Sequence, residues 1–274
     1  MKTPSYRLED YENTYEYHRD FRPQEVFTRN AYRLIRRISQ PHVAYQSGSR
    51  EMLDALDQEA VPLILPINHL SNLHDQWTAA AVADIAIPTR IGTTRVLAKD
   101  AFYNGALLRQ LHAPSFLQPL LTKGVNHMGT IPVSRAKNHD NRQLVDAANK
   151  KMFDVIADLQ SQGTSIALYP ESTHNYVHPE TLLPVRPGIG EIAVRSLQKC
   201  QPALVPIGIS YGPDRTPIDE YATKPTHIRH AQAYIGDITL LEPDMNVQDI
   251  MELTRRTLQD SVDHAHELYL QRAA

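Results

Sequence analysis

The sequence predicts an α/β fold: a mainly parallel or mixed central sheet flanked by helices, with an N-terminal helical extension. Three observations predict it. From about residue 60, short apolar runs alternate with longer amphipathic stretches, the pattern of strands joined by crossover helices. The chain has 274 residues, 42% of them hydrophobic, enough to bury a sizeable core. It contains no internal repeat and no low-complexity tract, so neither a solenoid nor a disordered chain fits.

Residues 1 to about 22 are rich in Tyr, Asp and Glu and read as an arm or irregular segment whose aromatics dock onto the body of the protein. Pro23 opens a helix over about 24–39. In it Phe27, Ala31, Leu34, Ile35 and Ile38 recur at helical spacing, and Arg29, Arg33, Arg36 and Arg37 fill the other faces. Such a helix either lays its apolar stripe on the core or lies in a membrane interface with its arginines on anionic head groups. The boundary falls near residue 58. Residues 1–58 form the arm and amphipathic helix, and 59–274 form the α/β domain.

Within that domain Val61 to Ile67 is a short apolar run bounded by Pro62 and Pro66, and Asp75 to Ile85 is an Ala-rich helix. Arg95 to Ala98 and Thr130 to Val133 read as strands. Asp140 to Gln162 is a long amphipathic helix stopped by Gly163. Ser165 to Tyr169 is a strand, Gly188 to Gln198 a helix, Ala203 to Ser210 and His230 to Ile235 strands, and Val247 to Arg272 a closing amphipathic helix.

Composition narrows the function. Lys plus Arg is 28 and Asp plus Glu is 31, a formal net charge of −3. General nucleic-acid binding needs a basic footprint and is not expected. The single cysteine, Cys200, allows neither an intrachain disulfide nor a cysteine-ligated zinc site, and fits a reducing compartment. Met1 to Asp20 has no apolar core of a secretion signal, and no stretch approaches the ~18 uncharged apolar residues of a transmembrane helix.

Four blocks carry chemistry. The first, Pro66 to Asp75 (PINHLSNLHD), lies where a buried strand runs into a helix, the place where open α/β sheets put ligands. A histidine followed by a carboxylate is the make-up of a general base with an orienting partner. Read alone, the segment is equally a helix cap with incidental histidines. The second, Gly129 to Arg135 (GTIPVSR), ends in an arginine that, read alone, is a surface residue and, in a cleft, would be placed to meet an anion. The third, Leu168 to Asn175 (LYPESTHN), exposes a carboxylate and hydroxyls at a strand end and is followed by Pro184 to Gly188 (PVRPG). The fourth, Ala203 to Ile209 (ALVPIGI), is by itself only a buried strand.

Taken in order and spacing, these blocks resemble the lysophosphatidic-acid acyltransferase family, the glycerolipid acyltransferase superfamily. Asn68-His69-Leu70-Ser71 resembles the start of its histidine-(four residues)-aspartate block, and Gly129 to Arg135 its second block. Pro170-Glu171-Ser172-Thr173 resembles the Pro-Glu-Gly-Thr-Arg block, and Val205-Pro206-Ile207 the fourth. Val96-Leu97-Ala98-Lys99 is similar to the intervening segment, where a lysine is usual. The match covers roughly residues 60 to 215.

The resemblance implies fatty-acyl transfer from acyl-CoA or acyl-carrier protein to the hydroxyl of a lysophospholipid or glycerol phosphate. No other cofactor and no metal is implied. His69 would take the hydroxyl proton with Asp75 as its partner, and Arg135 would bind the acceptor phosphate. Glu171, Ser172 and Thr173 would shape the acceptor site, with His174 beside them, and Lys99 and Arg186 would add phosphate contacts. A cytoplasmic enzyme, peripheral on the inner face of a membrane, would follow.

The sequence departs from this pattern twice. Four residues separate His69 from His74, and Asp75 comes one later. Asp75 is preferred as partner, because only a carboxylate stabilises an imidazolium by opposite charge, with His74 the alternative. In the third block Ser172 replaces Gly and His174 replaces Arg, and a histidine does not give the bidentate clamp of arginine on phosphate. Two other classes are compatible with the residues. One is a non-catalytic lipid- or acyl-carrier-binding protein on the same fold. The other is a metal-dependent hydrolase using His69, His74, Asp75, His174 and His178. Ala106-Leu107-Leu108, Phe116-Leu117 and Leu120-Leu121 are apolar pairs and triplets suited to a core, an acyl groove or a membrane-facing surface.

Overall fold

Helices cover both faces of a central sheet in the computed structural model, which describes residues 3–71, 74–103, 114–175, 177–212 and 231–273. The strands are β1 (His42–Tyr45), β2 (Leu63–Pro66), β3 (Thr94–Lys99), β4 (Thr130–Val133), β5 (Ser165–Leu168), β6 (Ala203–Leu204), β7 (Ile207–Ser210), β8 (Gln232–Ile235) and β9 (Thr239–Leu240). The helices are α1 (Tyr11–Asp20), α2 (Glu25–Ser39), α3 (Ser49–Gln58), α4 (His74–Ala86), α5 (Gln118–His127), α6 (Arg142–Gln160), α7 (Gly188–Leu197) and α8 (Val247–Ala273).

The main sheet has the order β4-β3-β5-β2-β6-β9. Its first five strands are parallel and β9 is antiparallel. A second sheet, β1-β8-β7, is mixed, and a parallel bridge between Ile67 and Ile207 ties it to the end of β2. The α/β fold with a mixed sheet is thus as the sequence predicts.

The period of two along β2 explains the layering. Leu63, Leu65 and Ile67 face one cluster, with Leu53 and Leu56 of α3 and Val82 and Ala86 of α4. Ile64 faces the other, with Ala148, Met152, Val155, Ile156 and Leu159 of α6 and Ile189 and Ile192 of α7. A strand covered on both faces reads as a continuous apolar run, which is why β2 is visible in the sequence. Gly163 stops α6 in the left-handed region, at φ +84°. Gly208 lets α8 lie directly on β7, since a Cβ there would come within 2.1 Å of the Ser261 carbonyl oxygen.

The structure corrects several expectations. The N-terminal arm is helical, as α1, and it docks by polar aromatics: Tyr15 is buried and its hydroxyl donates to Pro132 O at 3.1 Å. On α2 the buried residues are Thr28, Tyr32 and Ser39, while Phe27 and Leu34 of the apolar stripe are exposed. The reason is hydrogen bonding: Thr28 donates to His127 O and Tyr32 to Met128 O. The stretch Ala203 to Ser210 is two strands in two sheets, because Pro206 has no N–H to continue a ladder. Residues 42–45 pair with β8, so the chain before residue 59 shares a sheet and a core with the α/β domain. Asn72, Leu73, Ala106, Leu107, Leu108 and His230 lie outside the described residues.

Candidate active site

The first block runs from the end of β2 to the first turn of α4. Asp75, in the first turn of α4, faces back over the turn. Its Oδ2 accepts from Leu70 N at 2.6 Å, Ser71 N at 2.7 Å and the ring Nδ1 of His69 at 2.9 Å. The backbone of 70 and 71 wraps around that oxygen. His74 is fully buried, its ring centroid 6.3 Å from that of Tyr211. The partner of His69 is therefore Asp75. A carboxylate only accepts, so Nδ1 carries the proton and Nε2 carries the lone pair of a base.

The third block holds His69 by its main chain. Glu171 Oε1 accepts from His69 N at 2.7 Å, and Asn175 N donates to His69 O at 2.7 Å. The other Glu171 oxygen accepts from Leu183 N at 2.8 Å. Both carboxylate oxygens are thus engaged by backbone, and Glu171 fixes the main chain at His69. Burial pushes its carboxyl up to about 7, the two backbone donors pull the other way, and the charge of Asp75 adds to the rise.

This has a consequence for stability. The folded-state value lies above the unfolded one of 4.5, so the contribution of Glu171 is fully present below about 4.5 and is lost as pH rises through about 7. Glu171→Gln does not titrate, so it is expected to flatten the fall of Tm across that window. It also leaves one backbone N–H without its acceptor, at a cost of about 1–3 kcal/mol. Thermal melts of both proteins from pH 4 to 8 check this, and parallel curves would contradict it.

The ring of His69 stacks on Tyr169, with centroids 4.2 Å apart at 19°, and meets His174 at 4.0 Å and 56°. Burial, then the neighbouring His69 ring and the charges of Lys99, Arg135 and Lys137, push His174 down to about 2. His174 is therefore neutral in the physiological range, and those cationic side chains share its surroundings. Lys99 ends β3, and Arg135 follows β4 and donates to Ser172 O. The Arg186 side chain is exposed, and its backbone N donates to Pro170 O at 2.9 Å. Ser172 sits at φ +57°, the left-handed conformation glycine adopts freely. Thr173 is half-buried beside it. Behind the cationic side chains a second pair, His139 Nε2 and Asp100 Oδ2 at 2.5 Å, pins the loop after Arg135 to the end of β3.

Tyr169 also lines an apolar cavity of about 580 Å³. Ile67, Gln76 and Tyr169 line it close to the His69 turn. Ala79, Ala83 and Ala86 line it along α4, and Leu121 of α5 contributes as well. The small side chains of α4 leave the space. Gln76 to Ala86 covers about 15 Å of helix at 1.5 Å per residue.

Sequence reasoning gave no role to Tyr169, Asn175, Asn68 or Tyr211. The first three lie inside the first and third blocks, whereas Tyr211 carries no local signal. Among the described residues, no group of three or more His, Cys, Asp or Glu is placed to hold a metal ion, and His178 is exposed. No helix among the described residues is long and apolar enough to cross a membrane. The sequence matches no protein-family model and no curated protein.

Proposed function

We propose that the protein is an O-acyltransferase that moves a fatty acyl group from a thioester donor, acyl-CoA or acyl-carrier protein, to the hydroxyl of a lysophospholipid or glycerol phosphate. The single observation that carries this reading is a juxtaposition. A His–Asp pair packs against Tyr169, which lines a 580 Å³ apolar cavity, and against His174, near the paired ends of β3 and β4 that carry Lys99 and Arg135, the latter hydrogen-bonded to Ser172 O. A pocket of that size and character suits a fatty chain. Lys99, Arg135 and Lys137 suit the phosphate of an acceptor or donor. His69 Nε2 takes the hydroxyl proton as the oxygen attacks the thioester carbonyl. The thiolate leaves and is protonated by His69, and the acyl group ends as an ester.

The test is release of free CoA from palmitoyl-CoA with and without lysophosphatidic acid or glycerol 3-phosphate, repeated with acyl-carrier-protein donors. Acceptor-dependent release supports the reading. Bound lipid without turnover for any donor and acceptor would favour a binding protein on this fold.

A lysophospholipid acceptor and the acylated product are amphiphiles, so the same reading has the protein act at a bilayer surface. Its support is the exposure of Val26, Phe27 and Leu34 on α2, beside exposed Arg33 and Arg37, and of Phe116 and Leu120 close to the cavity-lining part of α5. The protein is expected to float with phosphatidylglycerol vesicles, and a Phe27→Ser, Leu34→Ser double variant is expected to float several-fold less. Equal flotation of the two would count against this face.

A further inference from the structure

We propose that Tyr211 is a positioning residue for the His69–Asp75 pair, set in place by the side chain of Asn68. The role of His69 as a base rests on the acyltransferase reading; the geometry around Asp75 stands without it.

β2 ends at Pro66, and the chain then turns away from the sheet towards α4. Asn68 takes over the role of a strand residue there. Its Nδ2 donates to Ile209 O at 2.9 Å, and its Oδ1 accepts from Ile209 N at 2.7 Å. A side-chain amide thus forms the paired hydrogen bonds of a ladder and stitches β7 to the turn that carries His69. With β7 locked in that register, Tyr211 follows Ile209 by two residues, on the same face. Its hydroxyl reaches Asp75 Oδ1 at 2.9 Å.

The direction of the hydrogen bonds is fixed by chemistry. A carboxylate only accepts, so the Tyr211 hydroxyl donates to Asp75. Thr78 lies one turn along α4 from Asp75, with its hydroxyl 3.0 Å from that of Tyr211, and Thr78 is therefore the donor to Tyr211. Thr78 thus donates to Tyr211 and Tyr211 to Asp75, whose other oxygen accepts from the Nδ1–H of His69. Asp75 and Thr78 are fully buried and Tyr211 nearly so. Oδ2 has three donors on it, and Tyr211 is what fixes Oδ1. Without that hydroxyl the carboxylate gains freedom to rotate about its terminal torsion, and the imidazole loses the alignment that defines its tautomer.

The test is Tyr211→Phe, with Thr78→Val as a second variant that leaves the tyrosine ring in place. The ¹⁵N and downfield ¹H resonances of the His69 imidazole report its tautomer, and acyl transfer is followed in parallel. The wild type is expected to show the Nδ1–H form alone. Tyr211→Phe is expected to show a mixture with the Nε2–H form, and kcat is expected to fall about 10- to 100-fold with KM unchanged. Thr78→Val is expected to move both in the same direction by less. A drop in Tm with the His69 resonances of both variants at their wild-type positions would assign Tyr211 a packing role and overturn the proposal. If no donor and acceptor give turnover, the acyltransferase reading fails while the resonances still decide the role of Tyr211.

Discussion

Acyl transfer by a His69→Ala variant is expected to fall about 10²- to 10⁴-fold, the usual worth of general-base help, with little change in Tm. Asp75→Asn is expected to lose a similar amount for a different reason. An asparagine turned with its NH₂ towards Nδ1 donates to that nitrogen, which puts the proton on Nε2 and leaves the base without a lone pair where it is needed. It also exchanges an acceptor of four hydrogen bonds for a poorer one, so Asp75→Asn is expected to lower Tm as well. His74→Ala separates the two histidines. His74 is fully buried and packs against Tyr211, while the ring of His69 is hydrogen-bonded to Asp75, so the loss of His74 is expected to act through stability and not through the chemical step. Initial rates at saturating substrate, beside thermal melts, check all three. A rate loss in His74→Ala as large as in His69→Ala, at equal stability, would contradict the assignment.

The second large effect concerns chain length. Ala83 lines the cavity midway along α4, between Ala79 near the His69 end and Ala86 beyond it. A phenylalanine there fills the space that the small residues leave. Excluding about four methylenes at about 0.8 kcal/mol each removes about 3 kcal/mol of binding. This is about a 10²-fold loss in kcat/KM for a long-chain donor. Ala83→Phe is therefore expected to lose about 10²-fold on palmitoyl-CoA and to keep its rate on octanoyl-CoA. Equal losses on both donors would place the acyl chain outside this cavity.

The elements legible in the sequence are those whose burial is written in apolar residues. β2 and β5 are covered on both faces, and α6 has a clear stripe, so each reads from its own pattern. α1 is hidden because its inward face is Thr14, Tyr15, Tyr17 and His18, side chains that bury as aromatics and hydrogen-bonding groups. Pro206 stands in the sequence as a proline inside an apolar run. Its effect depends on a ladder hydrogen bond that only the paired sheet reveals, so the run reads as one strand until its partners are known.

In the site, the residue types at 69 and 75 are legible, and the structure brings them to 2.9 Å. Their spacing misleads only against a regular helical turn, whereas residues 69–71 wrap an acceptor oxygen. Asn175 and Glu171 grip the main chain of His69, a function no side-chain motif announces. Tyr211 lies far along the sequence from Asp75, and its role depends on a register that Asn68 sets across two sheets. The exchange of Gly for Ser172 is visible in the sequence, and its meaning is a backbone at φ +57°. Ser172→Gly is accordingly expected to be neutral or mildly stabilising, read as a Tm equal to or above that of the wild type.

Ester formation from a thioester and a hydroxyl, with His69 as base, is the central claim. Mass spectrometry of the lipid products from palmitoyl-CoA and lysophosphatidic acid, for the wild type and His69→Ala side by side, tests it most directly. Phosphatidic acid is expected from the wild type, and at most a few per cent of it from His69→Ala. Free palmitate at the same rate with and without the acceptor, or phosphatidic acid from His69→Ala at the wild-type rate, would contradict it.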